Sequence, residues 1–223
     1  MAELRIAVLA SGRGSNLQAI LDAIAHGTLP ARVVGVFSDR PAAAALERAR
    51  AAGVPAWAAS PREHPTRIAF DRALFDAVDA ARPDLVVCAG YMRLLGEAVV
   101  TPRAGRLINI HPSLLPAFKG LHTHRQALAA GVSEHGASVH FVTAELDGGP
   151  VIAQARVPVL PGDDEAALAA RVLAREHPLL IQTLNWIAAG RVRFHDRTVY
   201  VDGAPLTRPL RLGQDDLLSP CPA

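Results

Sequence analysis

Five short apolar runs, spaced by turns and helical segments, constrain the fold of this chain more than any other feature. Leu4 to Ala10, Val33 to Phe37, Ala56 to Ala58, Leu85 to Ala89 and Leu107 to Ile110 are too short for helices. Near-continuous apolarity over such lengths marks parallel strands covered on both faces. Between them, Leu17, Ile20, Leu21 and Ile24 recur on one face of a helix that Gly27 ends, and a second helix runs from Ala42 to Ala52. A third, from about Thr66 to Ala81, has Ile68, Phe70, Leu74, Phe75 and Val78 as its inner stripe. This alternation predicts an α/β fold: a doubly wound, mostly parallel sheet with helices on both faces. Such sheets place their chemistry in the crevice beyond the carboxyl ends of the strands.

A chain of 223 residues can bury a substantial core. One domain is expected over residues 1–203, followed by a mobile tail over 204–223 that holds four prolines. The net charge is +2 with His neutral, and no basic run suggests a nucleic-acid or membrane surface. Cys88 and Cys221 give no disulfide framework, which fits a reducing compartment. Met-Ala-Glu leads directly into the first strand without signal-peptide features. No apolar run approaches the ~20 residues of a membrane span. A cytoplasmic protein, monomer or homodimer, is expected.

The segments after the strands carry the candidate residues. Ser11-Gly-Arg-Gly-Ser-Asn16 joins the first strand to the first helix. Its glycines, helix-terminal amides and Arg13 would suit a phosphate; the alternative is a tight turn capped by Ser15 or Asn16. It is neither a Walker loop nor the full dinucleotide fingerprint, because Leu17 stands at the third glycine position. Asp39, after the second strand, is then a turn or cap residue. Gly90-Tyr-Met-Arg-Leu-Leu95 either borders the cleft or plugs the sheet end with Tyr91, Met92 and Leu94.

Asn109 and His111 lie two apart on the fifth strand, hence on one face, and Pro112 ends that strand. They are either buried polar groups held by the backbone or a functional pair. His122 and His124 lack a third ligand at suitable spacing, so no metal site is expected. Ser138, His140 and Val142 share one face of a further strand. Asp147, in the loop Thr143 to Pro150, makes an Asx turn or orients a cleft histidine. A long helix capped by Asp163 or Asp164 runs to Ala189, with Leu168, Val172, Leu179, Leu180, Thr183 and Ile187 inward. Pro178 should kink it, and Glu176 is by default an exposed surface residue. Residues 194–201 read as a small hairpin.

Asn109-Ile-His-Pro-Ser-Leu-Leu-Pro116 together with Leu146-Asp-Gly-Gly-Pro150 resembles the formyltransferase family that uses 10-formyltetrahydrofolate. Ser11 to Asn16, Gly90 to Arg93, Gly120-Leu-His-Thr-His124 and Glu176-His177 extend the similarity over about residues 4–203, and the first loop marks the branch whose acceptor carries a ribose 5-phosphate. The resemblance implies direct formyl transfer to the amine of 5-phosphoribosylglycinamide in de novo purine synthesis, without a metal. It implies Asn109, His111 and Asp147 as the catalytic trio. Gly14, Ser15, Asn16, Leu17 and Gln18 match the phosphate-binding turn, and Glu176 matches a second contact to the ribonucleotide. Folate contacts are implied for Arg67, Met92, Arg93, Leu94, Leu95, Asn109, Thr143, Ala144, Glu145, Leu146 and Asp147. Arg13 stands where some relatives have Asn. Within the family, a methionyl-tRNA formyltransferase would add a basic C-terminal domain and a formyltetrahydrofolate hydrolase an N-terminal regulatory one; neither is expected. From another class, the same frame could serve a non-catalytic nucleotide-binding protein.

Overall fold

The computed structural model describes residues 3–221. Met1 and Ala2, at the expected direct entry into the first strand, lie outside the described residues, as do Pro222 and Ala223 of the expected tail. The chain divides into two compact units, Met1–Asn109 and Ile110–Ala223.

The first unit contains β1 (Leu4–Leu9), α1 (Ser15–Ala25), β2 (Ala31–Ser38), α2 (Ala44–Ala51), β3 (Ala56–Ala58), α3 (Arg67–Ala80), β4 (Leu85–Cys88), α4 (Glu97–Val100) and most of β5 (Leu107–His111). Its strands are ordered β5-β4-β1-β2-β3, every neighbouring pair parallel. The apolar runs explain this order: Ile6 to Leu9 of β1 and Val87 of β4 are fully buried, whereas the three residues of β3 at the edge are half-buried. Leu17 and Ile20 of α1, and Phe70, Leu74, Phe75 and Val78 of α3, close over the sheet residues of this unit. Ile68 departs from the expected stripe and is 67% exposed. Two residues before Phe70, it falls on the far side of a 3.6-residue turn.

The second unit holds α5 (Thr123–Ala129), β6 (Glu134–Phe141), β7 (Val151–Pro158), α6 (Glu165–Ala188), β8 (Val192–His195), β9 (Thr198–Val201), β10 (Ala204–Pro205), β11 (Leu210–Leu212) and β12 (Leu218–Ser219). The end of β5 leads into an order β5-β6-β7-β11-β12, with β6 and β7 antiparallel and β11 parallel to β7. The expected hairpin is β8 and β9, joined by β10 in a small separate sheet. α6 packs on β6 and β7 through Leu168, Val172, Leu179, Leu180 and Thr183. Leu184 and Trp186 complete that face, while Ile187 is only half-buried. Asp164 caps α6 by accepting from the Ala167 amide at 2.7 Å, and the helix runs unbroken through Pro178.

The mobile tail expected after Ala204 is replaced by strands. Leu210, Leu212 and Leu218 are buried, and Arg175 of α6 donates to the Asp216 carboxylate and the Gly213 carbonyl. The alternation Leu210-Arg-Leu212 is the period of a strand with one buried face, which the surrounding prolines obscure. Cys88 is buried in β4, and burial pushes its thiol up to about 12. Cys221 is half-buried and donates to the Pro209 carbonyl at 3.3 Å. The expectation of an α/β fold with a mostly parallel sheet and helices is met. Among the described residues no helix is long and apolar enough to cross a membrane.

Candidate active site

In the second unit, polar side chains gather around the end of β5. His111 is 6% exposed, with Nε2 3.0 Å from the Phe118 carbonyl and Nδ1 3.6 Å from Asp147 Oδ2. A carbonyl can only accept, so Nε2 carries a hydrogen. Asp147 stands at φ 46, a left-handed conformation that Asp tolerates better than most residues. Its Oδ2 also accepts from the Gly120 amide at 2.8 Å, and its Oδ1 lies 3.7 Å from His140 Nε2. The carboxylate therefore stands between two imidazoles. Of the two readings of Asp147, the structure brings it to a histidine.

One segment, 117–122, holds both members of the pair: the Phe118 carbonyl takes His111 and the Gly120 amide takes Asp147. Phe118 is itself at φ 54, and its ring meets that of His135 edge-on, with centroids 5.9 Å apart. His135 is fully buried, with Nε2 3.1 Å from His124 Nδ1. Burial, then the neighbouring His124 and His111, push the His135 pKa down to about 4, so this ring is neutral at physiological pH. Burial likewise lowers the His140 pKa, opposed by the Phe141 carbonyl and Asp147.

Ser138 supports the turn after β5. Its hydroxyl donates to the Ser113 carbonyl at 2.7 Å and accepts from the Leu115 amide at 3.0 Å, while Gln154 donates to the Leu115 carbonyl at 2.9 Å. Gln154 has no sequence signal beyond being polar in an apolar run. In the loop 143–150, Lys119 donates to Glu145 Oε1 at 2.7 Å, and this contact lowers the Glu145 pKa. Leu146 is 49% exposed. A Cβ on Gly149 would stand 1.8 Å from the Phe141 carbonyl oxygen, so only glycine fits where this loop returns to β6. Glu176, expected on the surface, is buried in α6. The helical spacing in fact places it inward, four residues after Val172 and three and four before Leu179 and Leu180 on the buried face of the helix.

In the first unit, the glycine turn meets α1 without the expected Ser15 or Asn16 cap: Gly14 is the N-cap at φ 74, and no side chain caps the helix. The first-turn amides of α1 are therefore not taken by a capping side chain, as an anion site requires. Gly14 is fixed doubly, since a Cβ there would also lie 2.8 Å from the Ala45 Cβ of α2. Arg48 of α2, which the motif reading overlooks, donates to the Arg13 carbonyl at 2.8 Å and to Gln18 Oε1 at 2.9 Å. An arginine on the following helix carries no loop signature, so nothing in the sequence joins it to this turn.

Asp39, expected as a turn or cap residue, lies in the bend that follows β2. It is 6% exposed and accepts from the Ser11 hydroxyl at 2.5 Å; the same hydroxyl accepts from the Met92 amide at 2.9 Å. Met92 and Leu94 are 54% and 46% exposed, so they do not plug the sheet, whereas Leu95 is buried. Arg67 donates to the Leu94 carbonyl at 2.8 Å, and the Arg93 guanidinium lies 5.5 Å from the centre of the Phe70 ring. Asn109 is half-buried and pairs in register with Cys88 of β4. Among the described residues no group of three or more His, Cys, Asp or Glu is placed to hold a metal ion.

With an imidazole and a carboxylate paired at a strand end of this α/β frame, residues 4–184 match the formyl transferase family. The chain is 51% identical to phosphoribosylglycinamide formyltransferase of Escherichia coli strain K12, over 91% of this chain and 96% of the relative. It is 48% identical to the protein of that name from Mycobacterium tuberculosis strain H37Rv, over 88% and 91%. The structure of the Coxiella burnetii phosphoribosylglycinamide formyltransferase superposes with a TM-score of 0.89 at 48% identity, covering 92% of this chain and 96% of that one. A formyltetrahydrofolate deformylase from Pseudomonas syringae pv. tomato gives 0.82 at 28% identity, with only 66% of its length covered. The chain belongs to the formyl transferase family, and within it to the phosphoribosylglycinamide formyltransferases.

Proposed function

We propose that this chain transfers the formyl group of 10-formyltetrahydrofolate to the amine of 5-phosphoribosylglycinamide, releasing tetrahydrofolate and the N-formyl ribonucleotide in de novo purine synthesis. The observation that carries this reading is the His111–Asp147 pair, 3.6 Å apart and gripped by one segment, in a member of this family.

The acceptor amine attacks the formyl carbon, and a carbon–nitrogen bond forms while the carbonyl oxygen takes up negative charge. The Asn109 amide donates to that oxygen, a contact whose loss in comparable sites costs ~10²–10³ in rate. The bond from the formyl carbon to the folate nitrogen then breaks. His111 supplies the proton that this nitrogen needs, and Asp147 holds His111 and receives, through a proton relay, the one the attacking amine loses. No covalent enzyme intermediate is required. Gly14, Ser15, Asn16, Leu17 and Gln18 bind the phosphate, supported by the uncapped start of α1, and Glu176 contacts the ribonucleotide. Arg67, Met92 to Leu95 and Thr143 to Asp147 contact the folate. The enzyme acts in the cytoplasm as a monomer or homodimer, without a metal.

Purified protein incubated with 10-formyltetrahydrofolate, with and without 5-phosphoribosylglycinamide, tests the assignment. Tetrahydrofolate release that depends on the ribonucleotide, with equimolar formylated product, is expected. Formate release without the ribonucleotide would instead assign a hydrolase, and tight ribonucleotide binding without turnover would assign a binding protein.

A further inference from the structure

We propose that Ser11, with its hydroxyl oriented by Asp39, is the positioning residue of the segment Gly90–Leu95; this rests on the reading of that segment as a folate contact. β4, β1 and β2 are parallel neighbours, and their carboxyl ends meet at one hydroxyl. Ser11 follows β1, Asp39 follows β2 and Met92 follows β4. The Ser11 amide donates to the Gly90 carbonyl at 3.0 Å. Its hydroxyl donates to Asp39 Oδ1 at 2.5 Å and accepts from the Met92 amide at 2.9 Å.

A hydroxyl has one hydrogen, and a carboxylate can only accept it. Asp39 therefore turns the rotor so that a lone pair faces the Met92 amide. Both residues are withdrawn from solvent, at 2% and 6% exposed, so water competes poorly for either bond. Met92 and Leu94 contribute little burial of their own, which leaves the segment dependent on polar ties: Ser11 at the Met92 amide, Arg67 at the Leu94 carbonyl and Asp71 at the Gly96 amide. Ser11 also begins the turn that leads to Gly14–Gln18. The Ser11 side chain thus sets the posture of the folate segment through the Met92 amide.

The test compares Ser11→Ala, Asp39→Asn and Arg67→Ala with the unmodified protein, by steady-state kinetics and by hydrogen exchange at the Met92 amide. Ser11→Ala is expected to raise KM for 10-formyltetrahydrofolate about 5- to 10-fold, the scale of one lost hydrogen bond, with kcat within threefold and Met92 exchange accelerated. Asp39→Asn keeps an amide oxygen as acceptor and should restore most of both. Retained Met92 protection in Ser11→Ala overturns the proposal, as does an unchanged folate KM in that variant while Arg67→Ala raises it. If neither variant moves the folate KM, the folate reading of the segment fails and the role given to Ser11 fails with it. Equal rises in KM for both substrates with lowered kcat would mark general loosening and also overturn it. Should Ser11→Ala not fold, Ser11→Cys carries the same comparison, because a thiol is a weak acceptor.

Discussion

His111 faces an oxygen at each ring nitrogen, the Phe118 carbonyl 3.0 Å from Nε2 and the Asp147 carboxylate 3.6 Å from Nδ1, so the ring is oriented from both sides. Removing either member of the pair should therefore strike turnover: His111→Ala and Asp147→Asn are each expected to lower kcat by ~10²–10⁴, with KM for the ribonucleotide little changed. Wild-type turnover in either variant would refute the roles given to them. Gly14→Ala places a Cβ at φ 74 and against Ala45, a cost of at least ~1–2 kcal/mol from the backbone alone. A melting temperature lower by several degrees and a raised ribonucleotide KM should report it, and an unchanged melting curve would contradict the geometry. Much of this was legible in the sequence. Asn109 and His111 declare themselves by strand spacing, and Gly14 by its place between strand and helix. Asp39 does not, because what withdraws it from solvent comes from a distant segment: Ser11 lies 28 residues away along the chain. Arg48 was invisible for the same reason.

β6 shows how an element can be read correctly in outline and missed in its cargo. Its alternation predicts a strand, and the bulge between Val139 and His140 breaks the simple two-residue phase that would place Ser138 and His140 together. Both are nonetheless buried, as is His135, so one strand carries three polar groups inside the second unit. The pH dependence of stability follows from the most displaced of them. His135 titrates near 6.5 when unfolded and at about 4 when folded, so the unfolded chain binds the proton more readily between those values. The associated stability is complete above about pH 6.5 and is lost as pH falls towards 4, by roughly 3 kcal/mol. Urea titrations should show a shallower decline over that range in His135→Gln than in the unmodified protein. Parallel slopes would mean that the imidazole takes up its proton in the folded state.

For the whole molecule, the succession of strands and helices was written in apolar spacing, but the closing segment was not. Prolines and polar residues mask the three leucines that seat β11 and β12, and these become strands by pairing, β11 with β7 and β12 with β11. Ending the chain at Gly203 should bare the edge of β7 and remove the buried Leu210, Leu212 and Leu218, a loss of roughly 3 kcal/mol or more. Light scattering and a melting curve should reveal concentration-dependent aggregation and a lower transition, and a variant as stable and soluble as the full chain would show the strands to be ornamental. The two thiols offer a way to watch this part of the protein. Cys88 is sealed in β4 with its proton held to about pH 12, and Cys221 sits beside Pro209 at the other end of the seated segment. A maleimide dye offered to the native enzyme thus has one reachable sulfur. The wild-type sequence comes ready for single-point fluorescent labelling, and the dye reports on whether its own C-terminus is in place.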